Sequence, residues 1–207
     1  MNYPLLDTIP GFEGALIGSV APFLVLSHIA VGLVLGILAA TQGGKSYGVL
    51  PAAFITGTVV GLLVYFARGQ WLVPYARDAV SFGLVVICVM VLLWRPIPLW
   101  ATASVAAVSG SGYGYLLAIE VPFEGLYPFF IVMYTVGYAT SFAALIGIGM
   151  VIAMVLKTRP EAPLYLRGAT VVLLLVGIYF VLDAVSCRSN VFCRPFLDRQ
   201  MFAMFGS

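Results

Sequence analysis

The sequence has few charged residues, one histidine and three cysteines. Only 9% of its 207 residues are charged, whereas 62% are hydrophobic. A water-soluble domain carries about 25% charged residues, because its surface must be hydrated. Ten basic residues against eight acidic ones also form no basic face for a nucleic acid. The composition therefore excludes an ordinary cytosolic enzyme, a disordered chain and a nucleic-acid-binding protein, and it predicts a surface that mostly faces lipid.

The hydrophobic residues are concentrated in six long stretches. A helix needs about 20 mostly apolar residues to cross a hydrocarbon core of about 30 Å. The stretches are too long for the strands of a membrane barrel and lack their two-residue alternation. We therefore predict an all-α integral membrane protein, a six-transmembrane-helix bundle over residues 14–183 between an N-terminal tail, 1–13, and a C-terminal tail, 184–207. The predicted spans are approximately residues 14–40, 47–67, 74–93, 98–119, 128–156 and 167–182.

The N-terminal part of the first span has a second interpretation. Pro22 lies inside it, so residues 11–21 can instead form a short interfacial or re-entrant segment before helix 1. The first 13 residues carry Asp7 and Glu13 and no basic residue, which argues against a cleavable signal peptide.

The orientation is predicted from the charges between the spans. The loops after the first, third and fifth spans carry five basic residues against Glu161 alone, whereas the opposite side carries five basic and seven acidic residues. Basic residues alone give a tie, but the compact loops favour the first group as cytoplasmic. We therefore expect both termini on the non-cytoplasmic side of a bacterial inner membrane. The basic residues of those compact loops are Lys45, Arg95, Lys157, Arg159 and Arg167.

The three cysteines fall in two environments. Cys187 and Cys193 lie in the polar segment after the last span, where a local disulfide is plausible if that segment is in an oxidising compartment. Two free thiols are the alternative. Cys88, inside the third span, is interpreted as a small apolar packing residue.

Glycines recur four residues apart in three of the spans. This spacing places them on one helix face, where a neighbouring backbone can approach closely. We interpret them as helix-packing positions. The pairs are Gly32 and Gly36, Gly57 and Gly61, and Gly110 and Gly114.

One ionisable residue lies well inside a span, and by default such a residue suggests a function. It is His28, preceded by Ser27, and its imidazole can bind a metal or tetrapyrrole, transfer protons, or simply bond a neighbouring helix. A second polar group is formed by Ser109, Ser111 and Tyr113, with Glu120 near the end of the same span.

The chemistry available to these residues is limited. One imidazole, hydroxyls and an interfacial carboxylate are a poor set for nickel, copper or zinc, so His28 is the sole candidate metal ligand. One histidine also cannot supply both axial ligands of a bis-histidine haem within the chain. No phosphate-binding loop, nucleophile elbow, CxxC pair or HExxH helix is present. The sequence therefore requires no cofactor and predicts no catalytic residue.

Four segments, in order along most of the chain, resemble the HupE/UreJ family of hydrogenase and urease accessory membrane proteins. They are residues 22–40 with His28, the Leu-Pro-Ala-Ala-Phe sequence at 50–54, residues 107–115, and residues 138–148. The resemblance implies a six-helix membrane fold and a link to the transport of nickel or a related metal.

The resemblance also shows where this chain departs from the family's histidine patterns. In the first pattern, His-Pro-x-x-Gly-x-Asp-His, the proline and last histidine match Pro22 and His28, whereas the other three positions are Ala21, Val25 and Ser27. In the fourth-helix pattern, His-Gly-x-Ala-His-Gly, both glycines remain. Its two histidines are replaced by Ser109 and Tyr113. The resemblance therefore implies the fold more directly than metal transport.

These observations lead to two principal functional hypotheses. The first is a non-catalytic structural or accessory subunit that packs against other membrane-protein subunits. The second is a permease for nickel, another metal ion or a small solute, with His28 and residues 109–114 along the path. A third hypothesis is a pigment- or cofactor-associated subunit with His28 as an axial ligand. We do not expect an enzyme.

Overall fold

The computed structural model describes residues 10–68, 72–93, 97–120 and 128–188, which form seven α-helices and no strand within these ranges. The helices follow the hydrophobic stretches of the sequence, because a helix satisfies its own backbone hydrogen bonds in lipid. Their bounds are α1 Pro10–Leu24, α2 Leu26–Gln42, α3 Ser46–Arg68, α4 Val73–Leu93, α5 Leu99–Glu120, α6 Pro128–Lys157 and α7 Ala162–Arg188.

The helices are those of an integral membrane protein, which confirms the predicted class. Four of them, α3, α4, α6 and α7, are each long and apolar enough to cross a membrane. The pair α1 and α2 passes the same test together, which gives up to five spans. The fourth predicted span is present as α5, which contains several serines, glycines and tyrosines and does not pass the test. Six crossings therefore remain a prediction.

The first predicted span is divided into two helices. Between α1 and α2 the axis bends by 81°, at Val25 and not at Pro22. The second interpretation of the sequence places a short segment before the first membrane helix. Helix α1 lies at that place in the chain.

Contacts with α6 show how α1 and α2 are related. Gly14 and Gly18 of α1 lie against Phe130 and Tyr134, and Gly32 of α2 lies against Leu145. The residue numbers of the α6 contacts therefore increase along both α1 and α2, so both helices run in the same direction along α6. The pair is therefore either a broken span or a re-entrant segment, with its break beside the middle of α6.

Two pairs of helices make the most extensive contacts, α3 with α5 and α1 with α6. On its other side α5 packs against α4, which also packs against α7. Helix α2 lies at the centre and contacts α6, α4, α3 and α7. Between Ser27 and Ala40, all residues of α2 except Ile29 and Leu33 are buried.

The glycines lie where helix backbones approach each other. On α3, Gly57 and Gly61 lie against the backbone of α5, and on α5, Gly110 and Gly114 lie against the backbone of α3. A Cβ on any of these four would overlap a carbonyl group of the facing helix. On α2, Gly32 and Gly36 lie against α6.

The C-terminal end of α2 is fixed by side chains from α3 and α6. Gly43 and Gly44, with φ of 69° and 58°, turn the chain into α3, and such values favour glycine. Ser46 donates a hydrogen bond to the Ala39 carbonyl at 2.9 Å, and the Lys157 ammonium donates to the Ala40 carbonyl at 2.6 Å. A cation at a helix C-terminus is favourable for the helix dipole.

Candidate functional site

His28 is buried inside the bundle, in the first turn of α2. Val25 precedes the helix with φ of −109° and ψ of 118°, so Leu26, Ser27 and His28 form its first turn. The His28 side chain is 4% exposed and that of Ser27 is 1% exposed. Both residues are therefore placed inside the bundle by the break in the first span.

Aromatic rings from α5 and α6 pack around His28, and a ring from α3 packs against them. The centroid of its imidazole is 4.9 Å from Tyr113 on α5, 5.6 Å from Tyr138 and 5.4 Å from Phe142, both on α6. Phe54 of α3 completes the group, 5.7 Å from Tyr113 and 4.8 Å from Phe142. The three rings around the imidazole are steeply inclined to it, by 61° to 84°. We call these five residues the aromatic cluster.

Two hydroxyl groups of the aromatic cluster bond to the first turn of α2. The Tyr113 hydroxyl donates to the Ser27 carbonyl at 3.0 Å, and the Tyr138 hydroxyl lies 3.3 Å from His28 Nε2. The second imidazole nitrogen, Nδ1, and the Ser27 hydroxyl are buried and have no hydrogen-bond partner among the described residues. Such groups are costly in a protein interior unless a ligand or water satisfies them.

The structure assembles part of the polar set proposed from the sequence. It brings Ser27, His28 and Tyr113 together. Ser109 is buried one turn earlier on α5, where its hydroxyl lies against Gly83 of α4. Ser111 donates its hydroxyl to the Val108 carbonyl at 2.8 Å.

Three of the remaining predicted residues lie at the ends of the described ranges or beyond them. Glu120 ends α5, and its side chain is outside the described part of the chain. Cys187 lies near the end of α7, and neither its side chain nor Cys193 is described, so the disulfide remains a prediction. Cys88 is buried on α4 as a free thiol.

Sequence reasoning missed three members of the aromatic cluster, Phe54, Tyr138 and Phe142. A signal for two of them is present, because aromatic residues recur every four positions along α6 and therefore share one face. Their ring centroids are 6.3, 6.4 and 5.0 Å apart in succession. The series is Phe130, Tyr134, Tyr138 and Phe142.

The donor atoms at this site differ from those of a dedicated metal centre. His28 is the single histidine of the whole sequence. Within the described residues, no group of three or more His, Cys, Asp or Glu side chains is placed to hold a metal ion. The site offers one imidazole, hydroxyl groups and aromatic rings.

Comparison with known proteins gives a family and one curated relative. The family described as HupE / UreJ protein matches residues 8–180. "Protein HupE" of Rhizobium leguminosarum bv. viciae is 29% identical over 114 residues, which cover 53% of this chain. The matched segment covers 56% of that relative's length. The similarity therefore does not assign the relative's activity to this chain. No solved structure matches the chain.

Proposed function

Because the chain belongs to the HupE/UreJ family, we propose that it is a non-catalytic accessory subunit that packs against a larger membrane-protein complex. The observation that carries this proposal is the packing around His28. In the family pattern this position is a histidine beside further histidines, whereas here aromatic rings from α5 and α6 pack around it. The side chains around His28 therefore support helix packing more directly than the passage of a metal ion.

A permease for nickel or another small solute is the second candidate. Membership of the family supports it, and so do the buried Ser27 hydroxyl and His28 Nδ1, which have no partner beside a break in a membrane helix. Transporter sites commonly form at such breaks near the middle of the membrane. The same cells can test both candidates.

The test is native co-purification from the source cells, with a nickel uptake assay beside it. After gentle detergent extraction, the tagged chain should retain a partner complex in fixed stoichiometry. An unrelated membrane protein with the same tag and expression level is the control. Recovery of the chain only as a free monomer or homo-oligomer would contradict the accessory role. Reduced nickel accumulation in His28→Ala and Tyr113→Phe cells, at unchanged protein level, would instead favour the permease.

We also propose that α5 crosses the membrane, so that the bundle has six crossings. Its 22 residues correspond to about 33 Å of helix, enough for the hydrocarbon core. Its buried polar and small residues, including Ser109, Gly110 and Gly112, lie against α3 and α4, away from lipid. Six crossings place both termini on one side. We assign that side as non-cytoplasmic in a bacterial inner membrane, because the compact loops with Lys45 and Arg159 favour the opposite face as cytoplasmic.

Single cysteines in a cysteine-free background test this topology with a membrane-impermeant thiol reagent. Gly44→Cys and Ile97→Cys should react only after the inner membrane is opened, because both precede a helix that leaves the cytoplasmic side. Gly125→Cys, between α5 and α6, should react in intact spheroplasts. Reaction of Ile97→Cys and Gly125→Cys from the same side would show that α5 does not cross.

A further inference from the structure

The first turn of α2 has no side-chain cap, and it carries Ser27 and His28 into the bundle while the side chain of Leu26 is 46% exposed. The first N–H groups of any α-helix lack acceptors within the helix and are normally satisfied by a capping side chain, water or a ligand. Here the cap position is Val25, which has no polar side-chain atom and makes no capping hydrogen bond. The break at Val25 lies beside the middle of α6, away from both ends of the bundle. The N–H groups of His28 and Ile29 donate to the Val25 carbonyl at 3.0 and 3.2 Å. Within the described part of the chain, the N–H groups of Leu26 and Ser27 are therefore left for a further acceptor, at the positive end of the helix dipole.

Two side chains in the same turn also have unused polar atoms. Within the part of the chain that the structure describes, Ser27 Oγ and His28 Nδ1 have no hydrogen-bond partner, and their residues are 1% and 4% exposed. These atoms are independent of the uncapped backbone, yet they lie within the same first turn. Each indicates that the helix end contacts a further polar group.

The unused atoms act together as hydrogen-bond donors. A phenol hydroxyl is a better donor than acceptor, because its oxygen lone pair is delocalised into the ring. We therefore assign Tyr138 as the donor to His28 Nε2, across the observed 3.3 Å. A neutral imidazole that accepts at Nε2 carries its proton on Nδ1. Nδ1–H, the Ser27 hydroxyl and the N–H groups of Leu26 and Ser27 are then the donors available at this end of α2.

We propose that the buried start of α2 binds a small monovalent anion of about halide size. The N–H groups of Leu26 and Ser27, the Ser27 hydroxyl and His28 Nδ1–H hold it, and the helix dipole stabilises its charge. A cation would meet donors and the positive end of the helix. The rings of Tyr113, Tyr138 and Phe142 pack around His28 and restrict the ligand to a small ion. The site does not depend on whether the chain acts as an accessory subunit or a permease.

Thermal unfolding of the purified full chain in detergent tests this proposal, with chloride as the probe. Sodium chloride is compared with sodium gluconate at equal ionic strength. At a chloride concentration about ten times the dissociation constant, the melting temperature should rise by about 3–6 °C, because the anion binds the folded chain alone. The rise should saturate with chloride concentration.

Two variants assign the effect to the start of α2. Ser27→Ala removes one donor with little change in volume, and His28→Phe keeps a ring while removing Nδ1. Each should abolish most of the chloride-dependent rise. Thr170→Val is the matched control, because its buried hydroxyl lies on α7 and donates to the Leu166 carbonyl. That variant should retain the full rise.

Three results would overturn the proposal. The first is equal melting of the unsubstituted chain in chloride and gluconate. The second is a chloride effect that persists in both Ser27→Ala and His28→Phe. The third is a rise that follows the cation, when sodium is exchanged for N-methylglucamine at constant chloride.

Discussion

The interface between α3 and α5 is packed with glycine, whereas the centre of the bundle beside it is packed with aromatic rings. In the interface, Gly57 and Gly61 of α3 lie against the backbone of α5, and Gly110 and Gly114 of α5 lie against the backbone of α3. Around His28, the space between helices is filled by the side chains of Phe54, Tyr113, Tyr138 and Phe142. Both regions are buried, but the first depends on the absence of side chains and the second on their size.

The difference has a consequence for what each region can do. Backbones in direct contact leave no room for a ligand, so the α3–α5 interface fixes the position of two helices. The aromatic cluster contains tyrosine hydroxyls and an imidazole, so it joins packing to hydrogen bonding at Ser27 and His28. The two regions should therefore be sensitive to opposite kinds of substitution. Removing atoms destabilises the aromatic cluster, whereas adding atoms destabilises the α3–α5 interface.

The largest effect is expected from Phe142→Ala. Phe142 is 1% exposed, and its ring contacts those of His28, Phe54, Tyr113 and Tyr138. Loss of a fully buried phenylalanine side chain leaves a cavity and costs about 3–5 kcal/mol. The free energy of unfolding, measured by SDS titration in mixed micelles, should fall by that amount.

The control for Phe142→Ala is Phe129→Ala on the same helix. Its side chain is 59% exposed, and substitutions at such surface positions usually change stability by about 0.5 kcal/mol or less. Equal losses for the two variants would show that the aromatic cluster is not a close-packed centre. The comparison with the glycine interface would then fail.

The glycine-lined and aromatic regions also differ in how far the sequence predicts them. Glycines four residues apart, as at positions 57 and 61, predict a close helix contact, because the spacing and the chemistry lie within one segment. The sequence does not say which helix is the partner. Only the structure places Gly57 and Gly61 of α3 against α5, and Gly110 and Gly114 of α5 against α3.

The aromatic cluster could not be assembled from the sequence. Its five residues come from four helices, and each helix has other aromatic or apolar residues that could face the centre. His28 was singled out because an ionisable residue in a membrane span is rare. Phe54 and Phe142 have no such distinction, since hydrophobic residues are common throughout the chain.

The break in the first span was predicted only in part. Proline lacks an N–H and disfavours a continuing helix, so Pro22 indicated an interruption. The structure instead includes Pro22 in the last turn of α1 and bends the chain at Val25. The exact bend depends on packing, because α1 contacts the first half of α6 and α2 the second half, with Gly14 and Gly36 at opposite ends.

A smaller loss of stability, caused by adding an atom rather than removing a ring, should follow Gly61→Ala. The added Cβ would overlap the carbonyl group of Ser111 on α5, so the two helices must separate. Overpacking of this kind costs about 1–3 kcal/mol.

The matched control is Gly147→Ala on α6, where an added Cβ meets no atom within 4 Å. Alanine should stabilise that helix by up to about 1 kcal/mol, because it has the higher helix propensity. Opposite signs for these two variants, measured by the same SDS titration, would locate the sensitivity in the interface. A stabilising Gly61→Ala would mean that α3 and α5 do not pack backbone to backbone.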